Sequence, residues 1–397
     1  MILSKKASNI EPSITLAITA KAKELKSQGI DIIGFGAGEP DFNTPANIRN
    51  ASIEAMEKGY TKYTPASGII ELKEAIINKF KNDNNLNYKS SQIIISTGAK
   101  QCLSNAFFAI LNPGDEVLIA TPYWVSYPEL IKLSDGVPVF VKTSKEDSYK
   151  YDIESLKQYI TDKAKAIIIN SPNNPTGSIY TKEELIKLAE FAKEHDLIII
   201  SDEIYEKLIY GDDEHVSIAS LSEDAYKRTI VINGVSKTYS MTGWRIGYAA
   251  ASEEIVKLMS NIQSHTTSNP NSIAQYASLE ALAGTQEFIH VMKQEFKNRR
   301  DYIVTRINGI DNISCIEPKG AFYVFIDISK IIGKAIEGET IENSLDFCSK
   351  LLEKGKVAAV PGEAFGIDGF IRISYATSME NIQEGLNRIE NFIKICI

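Results

Sequence analysis

Short apolar runs alternate with amphipathic stretches between about residue 50 and residue 250. The runs are rich in β-branched residues, as strands are. They predict seven strands, at Ile93–Ser96, Glu116–Ala120, Val137–Val141, Ala166–Asn170, Leu197–Ser201, Thr229–Asn233 and Ile246–Ala250. The clearest helix between them is Thr181–His195, where Thr181 and Glu184 match a capping box. Apolar strands that alternate with helices predict an α/β fold with three layers, in which helices cover both faces of a mostly parallel sheet.

The pattern becomes more helical and more charged after about residue 252. One extended helix is predicted over Gln286–Ile307, long enough to join two domains. Strands follow at Ala321–Ile326, Val357–Val360 and Phe370–Ser374, and helices at Ile341–Lys354 and Met379–Ile395. This mixture predicts a smaller α+β domain. The segment before about Asn47 is too short to fold alone, and we expect it to pack on another part of the chain.

The composition is that of an ordinary globular enzyme, with 397 residues of which 44% are hydrophobic. The net charge of −8 argues against a protein that coats nucleic acid, which needs an excess of Lys and Arg. No apolar run approaches the ~18 residues of a membrane helix, and Met1–Pro12 lacks the apolar core of a signal peptide. Four scattered cysteines, without zinc-ligand spacing, suit a reducing compartment. We therefore expect a soluble, cytoplasmic enzyme without a metal.

The densest chemical signal is the stretch 235–248, VSKTYSMTGWRIGY. Lys237 follows an apolar strand, hydroxyl residues surround it, and Arg245 lies eight residues further on. Most lysines are solvated surface residues, but a desolvated lysine near a second cation has a lowered pKa and suits a Schiff-base nucleophile. Hydroxyl groups and an arginine make a phosphate site. Together these residues indicate a cofactor that carries an aldehyde and a phosphate, namely pyridoxal phosphate.

Three further candidates follow predicted strands, at the edge where open α/β sheets bind ligands. Asp202 could keep a pyridine nitrogen protonated, although an aspartate there is commonly only a helix N-cap; Tyr205 lies near enough to donate a hydrogen bond. Asn174 lies in the turn SPNNPTG, where its amide is expected at the cofactor and the Asn174–Pro175 bond is a candidate cis peptide. Gly98 precedes a predicted helix, whose first backbone N–H groups can bind an anion.

These motifs, in this order along the chain, resemble the class I aminotransferases. The matching residues are Gly38–Phe42 (GEPDF), Ser171–Gly177 (SPNNPTG), Asp202 with Tyr205, and Ser236–Lys237 with Arg245. The resemblance implies a fold-type I pyridoxal-phosphate enzyme, and it is strongest to the bacterial aspartate aminotransferase branch called Iβ. It extends from about Ser4 to the end of the chain. Each motif is modestly specific, whereas the ordered set is highly specific.

The resemblance implies how the cofactor would be held. Lys237 would bond to it and act as the base that shifts the substrate proton, and Asp202 would pair with its pyridinium nitrogen. Asn174 and Tyr205 would bond its phenolic oxygen, and Trp124 would stack on its ring. The phosphate would be held by Gly98, Ala99, Lys100 (through the backbone), Ser236 and Arg245. Tyr63 would reach the phosphate of the neighbouring subunit, so that the site would need a homodimer.

The resemblance also implies a substrate site and a domain plan. Arg372 would clamp the α-carboxylate of the substrate through its bidentate fork, and Gly38 would contact it through the backbone. Trp124 and Asn174 would line the same site. The large cofactor domain would span residues 48–290. The small domain would combine residues 1–47 with 291–397 and would close over the substrate.

The side-chain specificity stays open at this point. A dicarboxylate substrate needs a second cation, yet the stretch 102–110, where some relatives carry a lysine, has Phe107 and Phe108 instead. His265 is the remaining candidate for the second cation, although a histidine in such a stretch is more commonly a surface residue. Aspartate with 2-oxoglutarate is the favoured pair, with an aromatic or broad specificity as the alternative; some relatives also accept prephenate, but no feature here requires it.

Two other functions remain open on the same fold. A carbon–sulfur β-lyase would use the same lysine and aspartate for β-elimination. A non-catalytic regulator would carry this fold fused to a DNA-binding helix-turn-helix. The acidic charge, and the lack of about 80–100 additional N-terminal residues, argue against the regulator.

Overall fold

The computed structural model describes residues 3–396. The α-helices in chain order are α1 (Lys5–Ser8), α2 (Ile14–Ser27), α3 (Ala46–Glu57), α4 (Ile70–Asn84), α5 (Ala99–Ile110), α6 (Tyr127–Leu133), α7 (Ile153–Leu156), α8 (Lys182–Glu194), α9 (Glu223–Arg228), α10 (Glu253–Thr266), α11 (Ser272–Ala283), α12 (Glu287–Asn308), α13 (Ser344–Glu353) and α14 (Met379–Lys394). Short 3₁₀ helices occupy Ser90–Gln92, Lys157–Tyr159, Ile218–Ser220, Thr242–Trp244 and Gly362–Phe365.

The strands in chain order are β1 (Ile33–Gly34), β2 (Ile93–Ser96), β3 (Glu116–Thr121), β4 (Val137–Lys142), β5 (Ala164–Asn170), β6 (Ile198–Asp202), β7 (Thr229–Gly234), β8 (Gly247–Ala250), β9 (Ser314–Cys315), β10 (Tyr323–Asp327), β11 (Ala335–Ile336), β12 (Glu339–Thr340), β13 (Val357–Ala358), β14 (Val360–Pro361) and β15 (Phe370–Ser374). β2 to β8 form one sheet in the order β2-β8-β7-β6-β5-β3-β4. Only β8 runs antiparallel to its neighbours. The seven predicted strands and the mostly parallel sheet are confirmed.

Helices cover both faces of this sheet. Successive residues of a strand point to opposite faces, so Ile168 and Ile200 belong to a buried cluster with Leu103 of α5. Their neighbours Ile167 and Ile199 belong to a second cluster with residues of α8. α8 begins after Thr181, whose side chain and that of Glu184 form the expected capping box. The predicted three-layer α/β architecture is therefore confirmed.

The two ends of the chain meet in a second group of strands. β14, β15, β10 and β9 form an antiparallel sheet, and β1 from the N-terminal segment pairs with β13. The prediction of one strand over Val357–Val360 was wrong, because β13 pairs with β1 while β14 pairs with β15. Ile33 and Phe35 share a buried cluster with residues of α12 and α14. The N-terminal segment thus packs on the C-terminal part, as its length required.

The long helix predicted over Gln286–Ile307 is α12, shifted by one residue at each end. Helices α13 and α14 also lie within the predicted ranges. The predicted domain ranges begin at residue 1 and end at residue 397, and residues 1, 2 and 397 lie outside the described part. Of the helices in residues 3–396, none is long and apolar enough to cross a membrane.

Candidate active site

The candidate residues meet where the central strands end. Asp202 is the last residue of β6, and it lies in register with Asn170 of β5 and Ile232 of β7. Lys237 follows the end of β7 by three residues. Because parallel strands end at the same edge of a sheet, both side chains are brought to one crevice. This is the edge at which the sequence placed them.

Lys237 is a partly buried amine with a lowered pKa. Its Nζ donates a hydrogen bond to the carbonyl oxygen of Gly38, at 2.5 Å, so the structure brings these two predicted residues together. Burial lowers the pKa of Lys237 to about 8; Glu39 opposes the shift, while Arg245 and Arg372 reinforce it. An amine with this pKa is neutral in part at physiological pH, which a nucleophile or a base requires.

Asp202 is a buried carboxylate with a hydroxyl partner that the sequence analysis missed. The Tyr127 hydroxyl donates to Asp202 Oδ2 at 2.7 Å, and the backbone N–H of Ile204 reaches Oδ1 at 3.3 Å. Burial raises the pKa of Asp202 to about 6, although both hydrogen bonds act in the opposite direction. A cationic partner in the crevice would favour the ionised form. Tyr127 gave no signal beyond its position three residues after Trp124, because its role depends on a contact across 75 residues of sequence.

Arg372 is a buried cation held on two sides. It projects from β15 and is 2% exposed. Nη1 donates to Asn174 Oδ1 and Nη2 to the carbonyl oxygen of Gly36, both at 3.0 Å. Its Nε has no hydrogen-bond partner among the described residues. A buried guanidinium without a carboxylate partner in that part of the chain is suited to binding an anion.

Two tyrosines and an asparagine line the same crevice. The hydroxyls of Tyr205 and Tyr323 lie 3.0 Å apart, and the Tyr323 ring packs 4.3 Å from the guanidinium carbon of Arg372. Asn174 is held through its backbone N–H, which donates to Asn170 Oδ1 at 2.9 Å. The proposed cis bond at Asn174–Pro175 was wrong, because the cis peptides lie at Thr121–Pro122 and Ser171–Pro172. Tyr323 was missed, since an aromatic residue in an apolar strand is typical of a core.

The start of α5 forms an anion cradle with Arg245. Gly98 has φ of 84°, no side chain caps the helix within the described residues, and α5 begins at Ala99. A Cβ at Gly98 would collide with the Arg245 guanidinium, and one at Gly247 would collide with the backbone at Gly98 and Ala99. Glycine therefore lets the helix start and the guanidinium approach each other. Ser236, which was also predicted to hold the phosphate, directly precedes Lys237 in the sequence and is buried.

Lys100 and Trp124 lie at the rim of the crevice. Lys100 Nζ is 5.0 Å from the centroid of the Trp124 ring, and Trp124 packs edge-on against Tyr127 at 5.3 Å between centroids. Burial, and then the charge of Arg245, lower the pKa of Lys100. The sequence assigned Lys100 a backbone role alone, and it left the side-chain cation open in 102–110, the stretch that directly follows Lys100. His265, its other candidate, is exposed in the last turn of α10.

One predicted residue lies apart from the others. Tyr63 follows α3 in a loop and is 91% exposed. Within residues 3–396, the Tyr63 side chain forms no hydrogen bond with Lys237, Asp202 or Arg245. Its assignment to a neighbouring subunit therefore stays a prediction.

Comparison with known proteins agrees with this geometry. A family model described as aminotransferase class I and II matches residues 30–389. The chain belongs to this family. Its members transfer amino groups between amino acids and 2-oxo acids, with pyridoxal 5′-phosphate as cofactor. The predicted family, fold class and cofactor are thus confirmed for this aminotransferase.

Relatives of this aminotransferase are similar over their full length. The chain is 52% identical over 393 residues to an aspartate aminotransferase from Bacillus sp. (strain YM-2), and the match covers 99% of each chain. Its structure matches the aspartate aminotransferase from Rhizobium meliloti with a TM-score of 0.97, at 41% identity and 100% coverage of both chains. It also matches the Thermus thermophilus aspartate aminotransferase with maleate, with a TM-score of 0.93, 42% identity, and coverage of 98% and 99%.

Proposed function

We propose that this aminotransferase transfers the amino group of L-aspartate to 2-oxoglutarate, forming oxaloacetate and L-glutamate. The observation that carries the substrate assignment is a pair of cations, Arg372 and Lys100, with no carboxylate at salt-bridge distance in residues 3–396. A dicarboxylate presents one carboxylate to each of them. The names of the relatives support this choice, as does maleate, a dicarboxylate, in the Thermus structure.

The residues of the crevice fit the family cofactor. An uncapped helix start beside a guanidinium suits a phosphate, and a buried carboxylate without a cationic partner suits a pyridinium nitrogen. Lys237 would bond to the aldehyde carbon and Asp202 would hold the ring nitrogen protonated. The phosphate would be held by Gly98, Ala99, Lys100 (through its backbone), Ser236 and Arg245, the phenolic oxygen by Asn174 and Tyr205, and the ring face by Trp124.

The chain's own residues then divide the work of proton transfer. When bound, the cofactor supplies an electron-accepting ring that spreads the negative charge left on the substrate Cα. Lys237 Nζ would take the Cα proton and pass it to the carbon that was the aldehyde carbon of the cofactor, and a pKa near 8 suits both transfers at neutral pH. The carbonyl of Gly38 orients that nitrogen. The 2.7 Å hydrogen bond from Tyr127 favours the ionised form of Asp202, against the effect of burial.

Binding of the α-carboxylate also rests on groups that are already in place. Asn174 Oδ1 accepts a hydrogen bond from Arg372, which orients the guanidinium and leaves the Asn174 amino group to donate to the cofactor. Gly36 supports the other side of the fork through its carbonyl. The site is therefore organised before the substrate arrives, which lowers the cost of binding.

A direct test uses the purified holoenzyme and its visible absorption band. L-Aspartate and L-glutamate should convert the band of the lysine-bound cofactor, and oxaloacetate or 2-oxoglutarate should restore it. Turnover of the two pairs should follow ping-pong kinetics. Conversion by L-phenylalanine but not by L-aspartate would overturn the substrate assignment. Release of pyruvate and ammonia from a cysteine conjugate, without amino transfer, would overturn transamination itself.

Lys100→Ala is expected to lower kcat/KM for dicarboxylate substrates alone. Loss of one charge-assisted contact should lower kcat/KM for aspartate by about 10- to 100-fold, whereas kcat/KM for phenylalanine should change by less than about threefold. Lys132→Ala, on α6 and paired with Glu129, is a matched control that leaves both values unchanged. Equal loss for the two substrates would show that Lys100 serves the cofactor and not the substrate side chain.

We also propose a homodimer in which Tyr63 of one chain completes the site of the other. Its 91% exposure supports a role outside its own chain. Mixed dimers of Lys237→Ala and Tyr63→Ala chains test this, assayed at limiting cofactor. One of their two sites has neither change, so mixing the two inactive proteins should restore about half of the wild-type activity per dimer. No recovery in dimers proven to be mixed would place Tyr63 in its own chain's site.

The proposal includes a plan of the two domains. Residues 48–290 would form the cofactor domain, and residues 1–47 with 291–397 the small domain that closes over the substrate; the pairing of β1 with β13 supports this plan.

We place the protein in the cytoplasm, where the buried free thiols of its four cysteines, Cys102, Cys315, Cys348 and Cys396, would stay reduced.

A further inference from the structure

A cluster of buried charges lies directly behind the residues assigned to the cofactor. It consists of Glu203, Glu206, Lys79 and His215, and is called the rear cluster below. In the segment Asp202–Glu206 the functions alternate: Asp202 and Tyr205 belong to the crevice, whereas Glu203 and Glu206 belong to the rear cluster. The proposed mechanism leaves the rear cluster without a role.

Glu203 is bound by three side chains. It is 1% exposed. Its Oε1 accepts hydrogen bonds from the Ser201 hydroxyl at 2.8 Å and from the Ser217 hydroxyl at 2.7 Å. Its Oε2 lies 3.0 Å from His215 Nε2. The backbone N–H of Glu203 donates to the carbonyl of Ile232 in β7, so both the side chain and the backbone at this position are fixed.

Glu206 lies in the turn after β6 and forms an ion pair with a lysine of α4. It contacts the ammonium of Lys79 in α4 and accepts a hydrogen bond from Asn84 Nδ2 at 3.1 Å. Lys79 Nζ also donates to Asn84 Oδ1 at 2.6 Å, which closes a three-membered network. Burial opposes ionisation, but Lys79, with His215 and Asn84, lowers the pKa of Glu206 to about 2. Glu206 is therefore a buried, fully paired carboxylate.

The chain itself provides the cation of the rear cluster. Ligand atoms of Glu203, Glu206 and His215 lie within 4.8 Å of one another, a spacing that a metal ion could also use. The Lys79 ammonium already forms an ion pair with Glu206, and hydroxyl or imidazole groups already form hydrogen bonds with both carboxylate oxygens of Glu203. These contacts tie the segment Asp202–Glu206 to α4, to β6 and to the loop that holds His215 and Ser217.

We propose that Glu203 and Glu206 are positioning residues, which fix the Asp202 carboxylate and the Tyr205 hydroxyl in the crevice. The inference rests on the proposed function of that site. Glu203 directly follows Asp202, and Glu206 directly follows Tyr205. Moving either glutamate out of the rear cluster would leave a buried charge without a partner. The segment therefore has little freedom to rotate, as a preorganised site requires. Residues that orient metal ligands change activity by about 10- to 100-fold when removed, and we expect an effect of similar size here.

Glu203→Gln and Glu206→Gln test the proposal in the holoenzyme. We expect kcat to fall about tenfold or more while KM for the amino donor changes less than about threefold. The pH at which the visible cofactor band changes should also shift, because Asp202 is displaced from the ring nitrogen. Asp224→Asn is the control: it removes the carboxylate that pairs with Arg228 just before the start of β7, at the opposite end of that strand from Lys237, and it should lower Tm without altering kcat or the band.

Several outcomes would overturn the proposal. A lower Tm with unchanged kcat and an unchanged pH response of the band would make the rear cluster merely structural. If either Gln variant fails to fold, His215→Gln, at the partly buried side of the cluster, is measured in the same way. Loss of wild-type activity on dialysis against a chelator, with recovery in Zn²⁺, would identify a metal centre instead; we expect no change. Rates are measured with whichever amino donor converts the wild-type band, so failure of aspartate as a substrate leaves this test intact.

Discussion

Lys237→Ala should lower kcat/KM for transamination by about 10⁴-fold or more, because it removes both the nucleophile that holds the cofactor and the base that moves the Cα proton. The burial that lowers the pKa of Lys237 to about 8 makes this amine suited to both tasks. No other described amine donates to the carbonyl of Gly38 at the centre of the crevice. The absorption band of the covalently bound cofactor should be lost together with activity.

Reduction with borohydride tests the covalent role of Lys237 by itself. In the wild type it should fix the cofactor to one peptide, identified by mass as the one that contains Lys237. The variant should bind the cofactor through its phosphate but release it on denaturation after the same treatment. Lys100→Ala, which removes a neighbouring amine, should retain the covalent label. A label on Lys100 or another lysine in the wild type would disprove the assignment.

Arg372→Ala is expected to weaken every amino acid and 2-oxo acid substrate, whatever its side chain. Removing one partner of a buried, hydrogen-bonded charge pair costs ~2–5 kcal/mol, so kcat/KM should fall by about 30-fold to several thousand-fold. Arg372→Lys should recover only part of this loss, because an ammonium cannot reproduce the planar fork that Asn174 and Gly36 orient.

The cofactor band provides the control for Arg372. Arg372 makes its hydrogen bonds with Asn174 and Gly36 and packs on Tyr323, and it makes none with Lys237, so the band should remain present in Arg372→Ala. Loss of the band together with a lower Tm would indicate a structural role for the arginine. A loss of kcat/KM confined to dicarboxylates would exchange the roles proposed for Arg372 and Lys100.

The strands and the residues that directly follow them could be predicted from the sequence. Seven apolar runs became the seven strands of the large sheet, because strands that are buried on both faces need an unbroken apolar sequence. Asp202 and Lys237 were found because each comes just after such a run, and parallel strands end at one edge. Gly98 was found for the same reason, at the junction of β2 and α5.

Contacts between distant segments could not be predicted in this way. Tyr127 reaches Asp202 across 75 residues of sequence, and Lys79 reaches Glu206 from α4. Val357–Val360 looks like one strand, but pairing with β1 on one side and β15 on the other divides it in two. Lys100 lies in the first turn of α5, and only the packing of that turn beside Trp124 shows where its ammonium points.

The sequence by itself determined the fold class, the family and the residues proposed to hold the cofactor, because apolar periodicity and ordered local motifs are properties of neighbouring residues. The tertiary structure decided which of these residues share a crevice, and it lowered the pKa of Lys237 and raised that of Asp202 by burying both. It also placed the Lys100 ammonium beside Trp124, where we propose the second cation, and the rear cluster behind Asp202. Burial and long-range contacts arise only when the chain folds, so a local sequence pattern could not predict them.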